Sequence, residues 1–259
     1  MSDLVLVERD GCIATVTLNR PEKLNALTRA MWQQLGAAIE SLSSDPDLRC
    51  VLVRGAGRKA FSPGNDIGEF ATQRNNKAQA GEYGRIMHAT AQALATCRHP
   101  LVAQIHGICV GGGLEIAALC DLRICGSSSR FGAPVKNLGL VMAYPEMAPL
   151  VRLAGASVAL EILLEGRVFD AAEAKEKGLV TRVVHDDDVE REAWATAQRI
   201  AEGAPLAARW HKKFARRLAD PQPLTEAEYD ECFDCFDTED FRIGYAAFLA
   251  KRKPAFVGR

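Results

Sequence analysis

A chain of 259 residues with 48% apolar and 25% charged side chains can bury a large core, in one big domain or in one domain plus an appendage. Its net charge of −1, with both signs interspersed, argues against a general nucleic-acid or membrane-surface binder. The first nine residues carry no basic region ahead of an apolar one, and no apolar run reaches a membrane span, so a cytoplasmic protein without a membrane partner is expected.

Residues 4–7 and 12–18 read as two strands about an Asp10-Gly11 turn, a hairpin. Thr28 is a candidate N-cap for a helix in which Met31, Leu35, Ala38, Ile39 and Leu42 recur at helical spacing, and Asp45-Pro46 ends it. A short buried strand at 50–53 leads into a loop rich in turn residues at 61–66. Residues 72–84 are polar and weakly periodic and read as a mobile surface helix or lid, followed by a helix over 83–96 and a strand over 101–106.

Residues 105–121 then run from a strand through Gly111-Gly112-Gly113 into an Ala/Leu/Ile-rich helix with Glu115 in its first turn. Glycines let the backbone approach a ligand closely, and a helix N-terminus presents unpaired N–H groups with a positive dipole end. The stretch is suited to hold a developing negative charge beside an ionisable acid. The alternative is that the glycines serve only close packing of helix on strand and that Glu115 is an exposed first-turn acid.

Further along come a strand at 122–125, an irregular loop over 131–144, helices over 145–164, a short helix over 171–177 closed by Gly178, and a last strand at 179–184. Everything after about residue 189 reads helical. The pattern is an α/β core over 1–188 with a C-terminal helical region over 189–259. Six of the eight cysteines lie in apolar surroundings, and Cys232 and Cys235 read as helix neighbours rather than half of a zinc site. The scattered histidines form no metal-binding motif, so no metal is expected.

Three separated pieces resemble one family. Arg20-Pro21-Glu22-Lys23-Leu24-Asn25-Ala26-Leu27, the loop Phe61-Ser62-Pro63-Gly64-Asn65-Asp66-Ile67, and the stretch from His106-Gly107 to Asp121 are similar to signatures of the crotonase (enoyl-CoA hydratase/isomerase) superfamily. The pieces at 171–180 and 248–256 agree, so the resemblance spans nearly the whole chain in order. It implies a spiral of ββα repeats with a C-terminal helical region that packs homotrimers or dimers of trimers. It also implies an acyl-CoA thioester as partner, with no cofactor beyond the coenzyme A of the substrate and a place in fatty acid metabolism.

The family's chemistry passes through a thioester enolate. By the resemblance, the backbone N–H groups of Asn65 and Gly112 form the oxyanion hole, with the side chain of Asn65 free to vary, and Glu115 is the carboxylate that activates water. Ser62, Gly64, Asp66, Ile67, Gly111 and Ala26 belong to the substrate-binding loops. Arg20, Lys23 and Lys251 are candidate cations for the coenzyme's phosphates, and Phe248 and Lys251 match positions that reach a neighbouring subunit's coenzyme. One departure stands out: the second Glu of family hydratases, which follows a Pro, is here Val135 after Pro134. Glu146 is a candidate replacement acid, although a first-turn acid after Pro145 is the plainer reading, and Tyr144 is a candidate donor into the pocket. The leading expectation is an enoyl-CoA hydratase-like lyase that adds water to a 2-enoyl-CoA. The alternatives are a malonyl-type acyl-CoA decarboxylase of the same fold and a catalytically silent acyl-CoA-binding protein.

Overall fold

The computed structural model describes residues 3–259. Strands β1 (Val5–Asp10) and β2 (Ile13–Leu18) form the expected antiparallel hairpin. Helix α1 (Arg29–Ser44) starts at Thr28, whose hydroxyl accepts the Met31 N–H at 3.2 Å. It buries Met31, Trp32, Leu35 and Ile39 and ends at Asp45 before Pro46.

A strand–strand–helix unit then repeats. β3 (Cys50–Gly55) and β4 (Ala60–Ser62) lead through α2 (Phe70–Gln73) into α3 (Lys77–Thr96). β5 (Leu101–Ile105) and β6 (Ile108–Val110) lead into α4 (Gly112–Leu119), and β7 (Leu122–Gly126) and β8 (Arg130–Gly132) into α5 (Tyr144–Glu165). In each pair the first strand joins a six-stranded sheet and the second a four-stranded one. The large sheet has the order β1-β2-β3-β5-β7-β10, and the small one β4-β6-β8-β9, where β9 is Phe169–Asp170 and β10, after α6 (Ala171–Glu176), is Arg182–Val184. Within each sheet the strands from successive units are parallel. The chain winds as a spiral, and each turn adds one strand to each sheet.

The strands β3 and β5 are apolar on both faces because both faces are covered. Val51, Val53, Leu101 and Ala103 face a core shared with α1 and α3. Cys50, Leu52, Val102 and Ile124 face Ala193, Ala197 and Ala201 of α7 (Val189–Ala201). So α7, the first helix past the expected boundary at 188, closes the outer face of the large sheet. Burial pushes the thiols of Cys50, Cys120 and Cys125 up to about 12, which suits small apolar packing groups rather than nucleophiles.

Two expectations are corrected. The segment at 72–84 is not a separate surface lid: α3 begins at Lys77, capped by the Asn76 side chain on the Gln79 N–H, and Tyr83 within it is fully buried. Its polar sequence reflects one exposed face of a long helix. The other concerns apolar length: α5 is long and apolar enough to cross a membrane by length and composition. It is broken at Gly155, at φ 82° and ψ 162°, which leaves two halves that each fall short of the ~20 residues a span needs.

The chain ends in α8 (Pro205–Arg217), α9 (Glu226–Asp230) and α10 (Glu239–Leu249). Buried Asp240 accepts the N–H groups of Val257, at 2.7 Å, and Gly258, at 3.1 Å, which folds the tail back onto α10. Phe233, Phe236, Phe241, Tyr245 and Phe248 are all exposed along this region.

Candidate active site

The small sheet builds the site. Its strands β4, β6 and β8 run side by side in the same direction, and the loop leaving each C-terminal end enters one cavity of about 230 Å³. The first loop supplies Pro63, Gly64 and Asn65, the second Gly111 and Gly112, the third Pro134 and Val135. A larger hollow of about 560 Å³ lies between the end of α3 and α8, and its lining contains no acid.

Two residues lining the smaller cavity have unused backbone donors. Among the described residues, neither the Asn65 nor the Gly112 N–H has a hydrogen-bond partner. Their neighbours do. Asp66 N–H donates to the Leu27 carbonyl and Leu27 N–H to that of Gly64, both at 2.8 Å, and Gly111 N–H donates to the Gly132 carbonyl at 2.9 Å. The two loops touch: a Cβ on Gly64, at φ 95°, would stand 2.9 Å from the Gly112 nitrogen, and one on Gly113 only 2.2 Å from the Ser62 carbonyl. Glycine at both positions is a steric requirement, not a tolerance.

The Asn65 side chain is not idle, contrary to expectation. Its Oδ1 accepts the Trp32 Nε1–H at 2.7 Å and its Nδ2 reaches Met87 Sδ at 3.8 Å, which clamps the first loop to α1 and α3. Ser62 and Asp66 do not line the cavity. The Ser62 hydroxyl donates to the Asn25 carbonyl at 2.9 Å and accepts the Gly64 N–H at 3.1 Å. Burial alone would raise the Asp66 carboxyl, but the Arg20 guanidinium at 2.8 Å and the Gly68 N–H hold it below its ordinary value. Arg20 also donates to the Ala26 carbonyl at 2.9 Å, so it is committed to the loop rather than free for a phosphate. Ala26 is half-buried beside it, and Lys23 is exposed.

Glu115 sits in the first turn of α4 with 1% of its surface exposed, and its Oε1 has no partner among the described residues. Burial pushes its carboxyl well above the ordinary 4.5, the neighbouring Glu146 adds to this, and Arg74 opposes it. Glu146, in the first turn of α5, lines the cavity of Asn65 and Gly112, whereas Glu115 lies buried behind its wall. The Glu146 Oε2 accepts the Ala143 N–H at 3.1 Å, and its Oε1 lies 3.4 Å from His88 Nε2. Capping its own helix and facing the pocket are therefore compatible. Val135 and Ile67 line the cavity as apolar wall. Tyr144 is 93% exposed and outside it. Phe248, 81% exposed, and Lys251, also exposed, lie outside it as well. Sequence reasoning missed His88, Arg74, Phe70 and Trp32. The first three fall in or beside the segment read as polar surface, and Trp32 shows no motif beyond its helical spacing.

The family profile described as enoyl-CoA hydratase/isomerase matches residues 8–259. The chain belongs to the enoyl-CoA hydratase/isomerase family. It is 37% identical over 259 residues to a "Probable enoyl-CoA hydratase" of Mycobacterium tuberculosis, with 99% of each chain covered. It is 32% identical to a short-chain-enoyl-CoA hydratase of Clostridium acetobutylicum, over 96% of this chain and 95% of that one. The crystal structure of an enoyl-CoA hydratase/carnithine racemase from Magnetospirillum magneticum superposes with a TM-score of 0.98 at 52% identity, covering 100% of this chain and 97% of the other. The ββα spiral with its helical C-terminal region, which the resemblance implied and the sheet order displays, is thus the fold of this family.

Proposed function

We propose that this family member is an enoyl-CoA hydratase that adds water across the double bond of a short 2-enoyl-CoA thioester. The observation that carries the reading is a pair of unpaired N–H donors, Asn65 and Gly112, on the wall of one cavity with the carboxyl group of Glu146, and the buried, unpartnered Glu115 three residues after Gly112 in the first turn of α4. The thioester oxygen sits between the two donors. As the water oxygen bonds to C3, an electron pair moves onto that oxygen, and each preorganised donor stabilises the enolate by about 3 kcal/mol. The dipole of α4 stands behind Gly112.

Glu115 takes a proton from the water, and a carboxyl raised by burial is the stronger base once ionised. Glu146, backed by His88, delivers the proton that C2 takes up, in place of the acid that Val135 cannot supply. The proton held by Glu115 passes back through solvent before the next turnover, so one water is consumed and nothing else. Decarboxylation would need the donors but neither acid, and a silent binder would need no buried, unpartnered carboxyl; both are less well supported than hydration. The hydratase names of the relatives point the same way.

The exposed aromatic side chains of the C-terminal helices are assigned to a trimer or dimer-of-trimers contact, through which Phe248 and Lys251 reach a neighbour's coenzyme and Lys23 serves the chain's own. The test of the reaction is the loss of enoyl-thioester absorbance with crotonyl-CoA. Hydration that falls 10²–10⁴-fold in Glu115→Gln supports the reading. Release of CO₂ from methylmalonyl-CoA without any hydration overturns it.

A further inference from the structure

One charged group in the cavity, which opposes the rise of the Glu115 carboxyl, holds no partner of its own among the described residues. Arg74 follows α2, and its guanidinium lies 4.6 Å from the centre of the Phe70 ring and 4.9 Å from that of Tyr83. It lines the cavity together with Asn65, Gly112 and Glu146. Its Nη1 is buried without a partner, and its side chain forms no ion pair and donates no hydrogen bond among the described residues. Glu69, just ahead of α2, is already engaged: its Oε2 accepts the Tyr83 hydroxyl at 2.9 Å and the Arg29 N–H at 2.8 Å.

Arg74 is half-buried, and leaving its buried Nη1 without an acceptor is costly. Two aromatic faces offset part of that cost but satisfy none of the in-plane N–H donors. Arginine's planar fork matches a carboxylate, which would satisfy two donors and the charge together. The surrounding wall of Ile67, Leu138 and Val141 is apolar, so the guanidinium is the feature that distinguishes one acyl chain from another there.

Resting on the hydratase reading of the same cavity, we propose that Arg74 is a specificity-determining residue that pairs with a carboxylate at the far end of the acyl chain. The substrate class is then the coenzyme A thioester of a short, unsaturated dicarboxylic acid.

Saturated thioesters cannot be hydrated, so titration calorimetry with them reads binding apart from chemistry. The wild-type chain is expected to bind glutaryl-CoA or adipyl-CoA about 10- to 100-fold more tightly than uncharged pentanoyl-CoA or hexanoyl-CoA of the same length. Arg74→Met brings that ratio close to one and Arg74→Lys retains part of it, with thermal melts checking that both variants are folded. Equal wild-type affinities for charged and uncharged thioesters overturn the proposal, and so does an unchanged ratio in Arg74→Met. Weaker binding of free coenzyme A by Arg74→Met also overturns it, because the guanidinium would then serve the coenzyme's phosphates. Absence of hydration with a preserved binding ratio overturns the hydratase reading alone and leaves this one standing.

Discussion

At the scale of single residues, Glu115 shows a trade of stability for chemistry. Its carboxyl is raised by burial, so the folded chain holds that proton more tightly than the unfolded chain, whose value is the ordinary 4.5. Stability is therefore lost as pH rises from about that value through the raised one, and none is lost below it. Glu115→Gln is expected to be more stable than wild type by roughly 0.5–2 kcal/mol at neutral pH, with the gain vanishing in acid, as thermal melts across pH would show. The same raised carboxyl places the acid limb of kcat/KM above the ordinary carboxylate range, because the base works only once ionised. A limb at the usual carboxylate position would contradict that assignment. Asn65→Ala keeps the backbone donor but leaves the buried Trp32 N–H without its acceptor. It is expected to cost about 1–3 kcal/mol in denaturant unfolding and to lower kcat more than KM, since the donor's position is what loosens. Asn65, Gly112, Glu115 and the departure at Val135 were legible in the sequence because they sit in contiguous motifs. Arg74 and His88 were not, since one lines the cavity and the other approaches Glu146 from elements whose periodicity says nothing of where the other face points.

At the scale of elements, glycine decides how close two loops come. A methyl group added at Gly113 would stand 2.2 Å from the Ser62 carbonyl, so Gly113→Ala must push apart the loops that carry the two donors. A loss of roughly 1–3 kcal/mol and a fall in kcat are expected together, and a variant that lost neither would show that the contact can relax freely. The Thr28 cap and the Asp45-Pro46 stop of α1 were readable because capping and breaking are local chemistry. The start of α3 was missed by six residues because residues 77–82 carry no buried side chain of their own and are helical through Asn76 and the turns that follow. The strands β4, β6 and β8 are three residues each, too short for any alternation to register before the sheet pairs them.

At the scale of the whole molecule, the repeat explains why the site is where it is. Each turn of the spiral delivers one strand to the small sheet and one loop to its C-terminal edge, so three successive turns converge on one cavity. No single repeat contains the site, which is why composition and periodicity alone indicated only an α/β chain and the family resemblance had to supply the spiral. The row of exposed aromatic side chains from Phe233 to Phe248 is a whole-molecule feature too. Sedimentation equilibrium is expected to return three or six times the 28.1 kDa chain mass, and Phe248→Asp to shift the population toward smaller species. A single 28.1 kDa species at micromolar concentration would refute the assigned contact.

The Trp32 indole touches both donor loops, donating to Asn65 on one and standing 3.1 Å from where a Cβ on Gly112 would lie on the other. That makes the site optically self-reporting. Trp194 and Trp210, the other two of three tryptophans, lie on α7 and α8, away from the cavity. A thioester that engages the two donors will perturb the emission of one buried indole against a constant background from the others. Occupancy becomes readable without a label, a coupled enzyme or turnover.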